Sequence, residues 1–334
     1  MTADAATMRA IVIARPGGPE VLEERERPRP EPGLGEIRVR VRASALNRAD
    51  LIQRRGAYPA PAGAPADIPG LEYAGEVEAV GPGAMLWAPG TRVMGIVGGG
   101  GHAEYLCVHE REALPVPEGL TWEEAAAIPE VFLTAYDALV RQMGLRVGER
   151  LLIHAVGSGV GTAALQLARA AGALVIGTSR TASKLERARA LGLEHGVDGS
   201  RDDWDTRVLA LTGGEGVHVV MDLVGGPYTP RSVRALASRG RIVLVGTPAG
   251  ARAEFDLGLL LRRRASITGT VLRARPHEEK AALAREFADA VLPLFDAGRL
   301  RPVIDRVLPF AAIREAHEAL ERDETFGKVV LAWR

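Results

Sequence analysis

Cysteine is almost absent from this sequence. Among 334 residues, Cys107 carries the single thiol. One thiol excludes an internal disulfide and any zinc site built mainly from cysteines, and it is typical of the reducing cytoplasm. No apolar run approaches the length of a transmembrane helix, so no membrane partner is expected. The stretch Met1–Thr7 has no basic residues followed by an apolar segment, and no signal peptide is predicted.

An excess of charge of either sign is also missing. Lysine and arginine together number 42, and aspartate and glutamate together number 42. A chain without net charge has no overall field to attract nucleic acid or an anionic membrane, and neither is expected as a partner. Hydrophobic residues make up 47% and charged residues 25%, which is usual for a globular protein, and the length suffices for two domains with proper cores.

What the sequence does contain is a glycine-rich turn between a predicted strand and a predicted helix. The apolar run Leu151–Ile153 is followed by Gly157-Ser-Gly-Val-Gly161, and Thr162–Ala171 then has the composition of a helix. This order offers backbone N–H groups at a helix N-terminus to an anion, usually the pyrophosphate of a dinucleotide. The strict G-x-G-x-x-G fingerprint is not matched, because two of its glycine places hold Val156 and Ser158. An ordinary tight strand–helix turn is the alternative.

The surrounding segments predict an α/β chain in two parts. Ala173–Thr178 has the pattern of a second buried strand, and Ser183 with Glu186 has capping-box spacing at the start of another helix. Strands that alternate with helices are typical of a doubly wound parallel sheet. The first part of the chain is instead β-rich, with the strictly alternating strand Glu36–Arg42 and many Gly/Pro turns. Lys328–Trp333 has the pattern of a closing strand, so the C-terminus is expected to complete the first domain.

The preferred cofactor is indicated about 20 residues beyond the glycine turn, where an acidic residue would bind the ribose 2′-hydroxyl of NAD. The segment Gly177–Lys184 contains no aspartate or glutamate. Ser179, Arg180 and Lys184 supply one hydroxyl and two cations, which suit the 2′-phosphate of NADPH. The alternative is that Arg180 and Lys184 only form the solvated first turn of a helix. The missing carboxylate favours NADPH.

Several motifs in a fixed order resemble the zeta-crystallin-like quinone oxidoreductases, a branch of the medium-chain dehydrogenase/reductase superfamily. The resemblance extends from Met8 to Leu331. It rests on the following stretches: Ala45–Leu51 with Gly56-Ala-Tyr58, Pro69–Gly75, Ala127–Tyr136, Gly157–Gly161, Thr212–Val217 with Asp222–Gly226, and Phe326–Val330.

This resemblance implies the domain organisation and the assembly. A GroES-like, β-rich substrate and catalytic domain is expected over residues 1–125 and 273–334, and a Rossmann domain that binds NADPH over residues 126–272, with the ligand cleft between them. A homodimer is the expected assembly, with a tetramer as the alternative. Subunits are expected to pair through the last Rossmann strand near Ser266–Val271, unless that strand is a plain edge covered by a loop.

The resemblance also implies which residues contact the cofactor. Ser158, Gly159 and Val160 are expected to present backbone N–H groups to the pyrophosphate. The other expected contact positions are Thr134, Gly246, Thr247, Val271, Leu272, Gly327 and Lys328. Simple backbone geometry is the alternative explanation for this second group.

Zinc-dependent relatives bind their catalytic metal through a cysteine and a Gly-His-Glu motif, and this chain departs from both. Asn47 stands at the cysteine position, and Gly70-Leu71-Glu72 has leucine in place of histidine. The seven histidines are scattered without ligand spacing. No metal site is expected.

Without a metal, another group has to stabilise the charge that hydride transfer leaves on the acceptor oxygen. The candidates are Tyr58, in the family's Gly-x-Tyr loop, Asn47 and solvent. A tyrosine keeps its proton near neutral pH and can donate a hydrogen bond. A stacking or gating side chain is the alternative for Tyr58.

Together these features predict a zinc-free, cytoplasmic, NADPH-dependent quinone oxidoreductase that reduces a quinone or another conjugated carbonyl. An NADPH-dependent enoyl or enone reductase of the same fold shares every motif. A protein that binds NADPH without turnover, as a structural or regulatory module, is the third hypothesis.

Overall fold

Two units make up the part of the chain that the structure, a computed structural model, describes, namely residues 7–333. Unit 1 contains the chain up to Leu133 and again from Leu272 onward, and unit 2 contains Thr134–Val271. The predicted parallel sheet lies in unit 2, and the β-rich part lies in unit 1. No helix within the described residues is long and apolar enough to span a membrane.

Fifteen strands and eleven α-helices are defined in residues 7–333. The strands are β1 (Thr7–Ile13), β2 (Leu22–Pro28), β3 (Glu36–Ala45), β4 (Glu72–Val80), β5 (Arg92–Ile96), β6 (Tyr105–His109), β7 (Leu114–Pro115), β8 (Arg150–Ile153), β9 (Leu174–Ser179), β10 (His195–Asp198), β11 (Val217–Asp222), β12 (Leu236–Leu244), β13 (Ser266–Gly269), β14 (Ile304–Pro309) and β15 (Lys328–Ala332). The helices are α1 (Arg48–Arg54), α2 (Trp122–Ala126), α3 (Pro129–Tyr136), α4 (Gly159–Ala170), α5 (Ala182–Ala190), α6 (Trp204–Leu211), α7 (Tyr228–Ala235), α8 (Leu257–Arg263), α9 (His277–Ala290), α10 (Leu292–Asp296) and α11 (Ile313–Glu321).

Unit 1 is organised by a seven-stranded sheet in the order β14-β15-β3-β4-β5-β7, with β6 also paired to β3. The C-terminal strand β15 pairs antiparallel with β3, and Val330 lies opposite Ala45. The end of the chain and its first long strand therefore share one sheet. Apolar side chains of β3, β4 and β6 form a buried core that includes Val39, Tyr73 and Leu106.

The alternating pattern of β3 places its apolar residues inside. The same pattern predicts a half-exposed strand whose other face carries arginines, and this prediction is wrong at Arg38. That side chain is 6% exposed. Its guanidinium lies 2.5 Å from Glu78 and 2.7 Å from Glu31, and it donates to the Pro30 carbonyl at 3.1 Å. A guanidinium with this many oxygen partners can be buried, because its charge and its N–H groups are satisfied.

Unit 2 contains a six-stranded parallel sheet in the order β10-β9-β8-β11-β12-β13. The order reverses between β8 and β11, as in a doubly wound fold, and ligands bind such sheets at the carboxyl ends of the strands near this reversal. His154, directly after β8, is buried and links Thr178 and Ser232 through its Nδ1 and Nε2 atoms, at 2.9 and 2.8 Å. The predicted α/β fold class is confirmed.

Two helices depart from their predicted extents. The amphipathic pattern of Glu278–Ala297 predicts a single long helix, and this prediction is wrong, because α9 ends at Ala290 and α10 begins at Leu292. Pro293 lies in the first turn of α10 and has no N–H to continue α9. The apolar pattern from Phe132 onward predicts that a helix begins there. The structure starts this helix earlier, with Pro129 as the first residue of α3, a position that proline favours. Glu130 therefore lies in a helical first turn.

Candidate functional site

The glycine-rich turn of unit 2 leads into the N-terminus of α4, a geometry that can bind an anion. Ser158 caps α4, and its Oγ accepts the N–H of Gly161 at 3.1 Å. A Cβ on Gly161 would lie 2.5 Å from the Ala155 carbonyl oxygen, so only glycine permits this close turn. The N–H of Thr162 is bonded to the Ser158 carbonyl. The Ser158 N–H, which was expected to face the pyrophosphate, instead donates to the Ala155 carbonyl at 2.9 Å. Within the described residues, the N–H groups of Gly159 and Val160 remain for an anion such as a pyrophosphate.

The departure from the strict glycine fingerprint has a packing reason. Val156 packs against β9 where Gly177 has no side chain, and a Cβ on Gly177 would lie 2.8 Å from the Val156 side chain. The Val156 N–H donates to the Thr178 carbonyl at 3.0 Å. The close contact between the turn and its neighbouring strand is thus made by a glycine on β9 rather than by one in the turn.

The predicted 2′-phosphate residues follow β9. Ser179 is buried, and its Oγ accepts the N–H of Thr181 at 3.2 Å. Arg180 is exposed, and Lys184 is half-buried in the first turn of α5. Arg180 lies close enough to Tyr228 to act on the pKa of its hydroxyl, which burial raises and the guanidinium opposes.

Two further residues in this region were not predicted from the sequence. Asp198 lies opposite Ser179 in the register of β10 and β9, but its carboxylate accepts the Ser200 N–H and hydroxyl at 2.9 and 2.6 Å. These hydrogen bonds lower the pKa of Asp198. The Tyr228 hydroxyl donates to the carbonyl of Gly199. Neither role has a local sequence signal, because both depend on a neighbouring strand or helix.

The remaining predicted cofactor positions are divided between the units. Unit 2 holds Thr134, Gly246, Thr247 and Val271, and unit 1 holds Leu272, Gly327 and Lys328. Thr247 packs against the turn after β11, where a Cβ on Gly225 would lie 2.9 Å from it. Their contacts with a cofactor stay predictions.

Unit 1 contains what we call the buried polar cluster, formed by Asn47, Asp50, Glu72, Glu130 and Lys328. At its centre, the Lys328 ammonium lies 2.7 Å from Glu72 Oε1 and donates to Asn47 Oδ1 at 2.7 Å and to the Leu46 carbonyl at 2.6 Å. Lys328 is 3% exposed and Glu72 is 0% exposed. The buried Lys328 ammonium, which contacts three oxygens, thus occupies the space between Asn47 and Glu72.

Asn47 and Asp50 link α1 to this cluster. Asn47 Nδ2 donates to Glu72 Oε1 at 2.8 Å, and the Asn47 backbone N–H donates to Asp50 Oδ2 at 2.7 Å. Asp50 Oδ1 accepts the Gly70 N–H at 3.1 Å. Burial raises the pKa of Asp50 to about 6, while the two N–H groups and Lys328 oppose the rise. The Asn47 amide is thus largely occupied by protein partners.

Glu130 enters the cluster from the first turn of α3. Its backbone N–H donates to Glu72 Oε2 at 2.8 Å. The residue itself is partly exposed. Burial and then the nearby Glu72 carboxylate raise the pKa of Glu130 to about 8. Sequence reasoning missed Glu130, since only the fold brings it to Glu72.

Tyr58 is held by an arginine that the sequence analysis also missed. The Arg273 guanidinium lies 4.8 Å from the centroid of the Tyr58 ring and donates to the Tyr58 carbonyl at 3.2 Å. It also donates to Gln53 Oε1 at 2.6 Å and to the Gly98 carbonyl at 2.8 Å. Burial raises the pKa of Tyr58, Arg273 opposes the rise and Glu130 adds to it. The phenol therefore keeps its proton at neutral pH and remains a hydrogen-bond donor.

Metal ligands are not grouped in residues 7–333, where no three or more His, Cys, Asp or Glu side chains are arranged to hold an ion. The doubly wound sheet with its anion-binding turn, and the β-rich unit with its buried polar cluster, define a nicotinamide-dependent dehydrogenase or reductase of the medium-chain type.

Comparison with known proteins agrees with this class. Residues 33–118 match the family model of the alcohol dehydrogenase GroES-like domain, and residues 159–289 match that of the zinc-binding dehydrogenases. A quinone oxidoreductase of Pseudomonas aeruginosa is 36% identical over 328 residues, which cover 97% of this chain and 99% of that protein. The chain belongs to the quinone oxidoreductase branch of the medium-chain dehydrogenase/reductase superfamily, and the predicted family is confirmed.

Solved structures resemble the whole chain as well. A quinone oxidoreductase of Pseudomonas syringae pv. tomato DC3000 has a TM-score of 0.87 and 32% identity, covering 97% of this chain and 99% of that one. An NAD-dependent alcohol dehydrogenase has a TM-score of 0.85 and 37% identity, with 98% and 100% covered. The CurK enoyl reductase has a TM-score of 0.87 and 26% identity, with 98% and 99% covered. The protein is therefore an oxidoreductase with a small-molecule substrate and a Rossmann unit that binds a nicotinamide cofactor.

Proposed function

We propose that the protein is a zinc-free, NADPH-dependent quinone oxidoreductase that transfers a hydride to a quinone or another conjugated carbonyl. The observation that carries the proposal is the Lys328 ammonium, bonded to Glu72 and Asn47, since Asn47 stands at a zinc-ligand position of the metal-dependent relatives. The likeness to quinone oxidoreductases over nearly the whole chain supports the acceptor class.

The residues around Asn47 do not fit a zinc ion. Leu71 offers no ligand atom and is buried at 1% exposure. A zinc ion on Asn47 Oδ1 and Glu72 Oε1 would meet the ammonium that already lies 2.7 Å from both oxygens. A zinc ion bound to these two oxygens would therefore lie close to the ammonium, and two positive charges close together in a buried place repel strongly.

NADPH is supported by the residues that follow β9. Ser179, Arg180 and Lys184 provide one hydroxyl and two cations, and the acid on the neighbouring strand, Asp198, is bonded to Ser200. When bound, NADPH supplies the hydride. The N–H groups at the start of α4 would hold its pyrophosphate.

Tyr58 is proposed to donate its O–H to the acceptor oxygen, because it is a half-buried phenol that keeps its proton. Arg273 fixes the ring by stacking on it and by bonding the Tyr58 carbonyl. Asn47 would act less directly, since its amide bonds Glu72 and Lys328. A fixed donor aimed at developing negative charge lowers the barrier more than a mobile one.

The assembly and the location belong to the same proposal. We expect a cytoplasmic homodimer, with β13 as the pairing strand. β13 lies at the edge of the parallel sheet, and its residues Ser266–Gly269 are exposed. An exposed strand edge has unpaired N–H and C=O groups that a second strand can bond.

An enoyl or enone reductase is the second candidate, favoured by the likeness to the CurK enoyl reductase. Stopped-flow oxidation of NADPH by a panel of quinones and by an enoyl thioester separates the two. Fast oxidation by quinones supports the proposal. Fast oxidation by the thioester alone supports the second candidate, and binding of NADPH without oxidation by either would indicate a non-enzymatic module.

The zinc-free part is tested independently. Elemental analysis of the purified protein is expected to find no stoichiometric zinc, and quinone reduction is expected to persist in chelator. A stoichiometric zinc ion whose removal abolishes turnover would contradict this part of the proposal.

A further inference from the structure

Unit 2 contains a buried carboxylate that the proposed reaction does not use. Asp137 is 2% exposed and begins a short π-helix, Asp137–Gln142, which continues α3. Its Oδ2 accepts the Gln142 amide at 2.6 Å and the Thr270 hydroxyl at 3.1 Å, and the Gln142 amide also donates to Thr270 Oγ1 at 2.6 Å. These three side chains, which we call the Asp137 triad, form a closed ring of hydrogen bonds.

The π-helix explains how Gln142 reaches Asp137. In an α-helix the residue four positions later lies above the first, and here that residue is Arg141, whose guanidinium lies 3.5 Å from Asp137 Oδ1. The wider π-turn has i→i+5 hydrogen bonds, such as that from the Met143 N–H to the Ala138 carbonyl at 3.1 Å. It therefore brings Gln142 over Asp137 as well. Such turns are rare and are found frequently at functional sites.

The ring depends on a hydroxyl at position 270. An ionised carboxylate only accepts hydrogen bonds, a glutamine amide nitrogen has two N–H groups, and a threonine has one O–H. The two N–H groups of Gln142 and the O–H of Thr270 therefore all find acceptors within the triad. A buried charge needs such donors, and valine in place of Thr270 would remove one of them.

The triad is close in sequence to both points at which the chain passes between the units. Unit 2 begins at Thr134 and ends at Val271, so Asp137 is its fourth residue and Thr270 its last but one. The first connection is the helix α3, and the second is irregular chain after the end of β13. The triad thus fastens the second connection to the first.

Thr270 is held by its backbone as well as by its side chain. Its N–H donates to the Leu244 carbonyl at 3.0 Å, next to the pairing of β13 with β12. The following residue, Val271, is 50% exposed, and Leu272 already belongs to unit 1. Both kinds of contact therefore fix the chain directly before it leaves unit 2.

We propose that the Asp137 triad is a positioning device, which fastens the two connections between the units and so sets the distance over which the hydride passes. This inference rests on the proposed reaction, in which unit 2 holds NADPH and unit 1 supplies Tyr58 to the acceptor. A displacement of about 1 Å between reacting groups can lower a rate about 100-fold. The predicted phosphate contacts, at α4 and after β9, lie outside the triad, so NADPH affinity should hardly change.

The first test measures the fastening without any turnover. Thr270→Val removes the hydroxyl and keeps the shape of the side chain. In the cofactor-free protein, amide hydrogen exchange followed by mass spectrometry is expected to become about 10-fold faster in peptides that contain residues 270–275, the effect of one lost hydrogen bond, and to stay unchanged in α4. Thr270→Ser, which keeps the hydroxyl, should exchange like the wild type. Thr206→Val, the same change at an exposed site of α6, is the control. Equal exchange in wild type and Thr270→Val would overturn the proposal.

The second test follows the reaction. Thr270→Val is expected to lower kcat for quinones by about 10–100-fold, with the Kd of NADPH unchanged, and Thr270→Ser should recover most of the loss. Because a misplaced donor slows the hydride step itself, the kinetic isotope effect with deuterated NADPH should be larger in Thr270→Val. Unchanged kcat and isotope effect would refute the positioning role and leave quinone reduction standing.

The proposed function fails differently. If the wild-type protein oxidises NADPH with no quinone, quinone reduction is refuted, and the positioning role with it, whatever the hydrogen exchange shows. If Thr270→Val does not fold, Gln142→Met removes the amide donors from the other side of the triad and is measured in its place. Wild-type exchange and kinetics in Gln142→Met would then overturn the proposal.

Discussion

The Lys328 ammonium lies 2.7 Å from Glu72 Oε1, and both side chains are almost completely buried. The two residues belong to the first positions of β15 and β4, strands on either side of β3 in one sheet. The pair thus joins the C-terminal strand to the N-terminal part of unit 1. Removing one partner of such a pair leaves an uncompensated buried charge.

Lys328→Met is therefore expected to destabilise the protein by about 3–5 kcal/mol, the usual cost of breaking a buried pair. The double variant Lys328→Met/Glu72→Gln should recover much of the loss, because no charge is then left unpaired. Urea unfolding monitored by circular dichroism measures both. Arg189→Ala removes an exposed pair with Glu186 and serves as the control, with an expected cost of about 0–1 kcal/mol. A similar small cost for Lys328→Met would contradict the argument.

Tyr58→Phe is expected to slow turnover with larger quinones and to leave NADPH binding nearly unchanged. The phenol is proposed to donate to the acceptor, while the ring, stacked on Arg273, is retained in the variant. Steady-state kinetics with several quinones and a fluorescence titration with NADPH measure the two effects. Tyr105→Phe, at a half-buried tyrosine of β6, is the matched control. Unchanged kinetics with every acceptor would assign Tyr58 to stacking or gating alone.

Stability is expected to fall as the pH drops from about 6.5 towards 4. Burial lowers the pKa of His154 to about 4 and that of His102 to about 3. In the unfolded chain, a histidine has a pKa near 6.5. When its pKa in the folded protein is lower, the unfolded chain binds more protons below about pH 6.5. The free energy of unfolding therefore falls on acidification. Melting temperatures at pH 7, 5.5 and 4.5 measure the decline. His195→Gln, at an exposed site, should not change it, whereas His154→Asn should make it shallower. A decline unaffected by His154→Asn would exclude that residue as a cause.

Local sequence patterns predicted the strand, turn and helix that would hold the cofactor. They did not predict the contacts of the buried polar cluster, because its residues are far apart along the chain. The turn at Gly157–Gly161 and the missing acid after β9 are visible within short windows of sequence, but the capping box predicted at Ser183 and Glu186 is wrong, because α5 begins at Ala182 after Thr181. In contrast, Asn47 meets Glu72 across 25 residues and Lys328 across 281 residues. No spacing rule covers such separations. Lysine and glutamate usually lie at the surface of a protein. Lys328 and Glu72 are buried only because the order of the strands brings them together.

The surroundings of Glu130 were equally hidden from the sequence. The helix that contains it begins at Pro129, three residues earlier than its apolar pattern indicates. Its unusual environment arises from Glu72 on β4, which no property of residues 127–136 foreshadows. Motifs therefore identified the family and the cofactor turn, while the buried polar cluster depends on contacts that the tertiary fold creates.

Cofactor choice is tested most directly by removing the cations that follow β9. Charge-assisted hydrogen bonds from Ser179, Arg180 and Lys184 to a 2′-phosphate are each worth about 1.5–3 kcal/mol, and exposure of Arg180 reduces its share. We expect NADPH to bind about 10–100-fold more tightly than NADH, since about 1.4 kcal/mol changes affinity tenfold.

Lys184→Ala should weaken the binding of NADPH and leave that of NADH almost unchanged, because NADH has no 2′-phosphate. Arg180→Ala should act in the same direction with a smaller effect. Fluorescence titrations at fixed ionic strength give the dissociation constants, with Arg189→Ala, in the last turn of α5, as the control. Equal wild-type affinities for the two cofactors would overturn the assignment, and the ribose partner would then have to be sought among other residues near Ser179, beginning with Asp198 on the neighbouring strand.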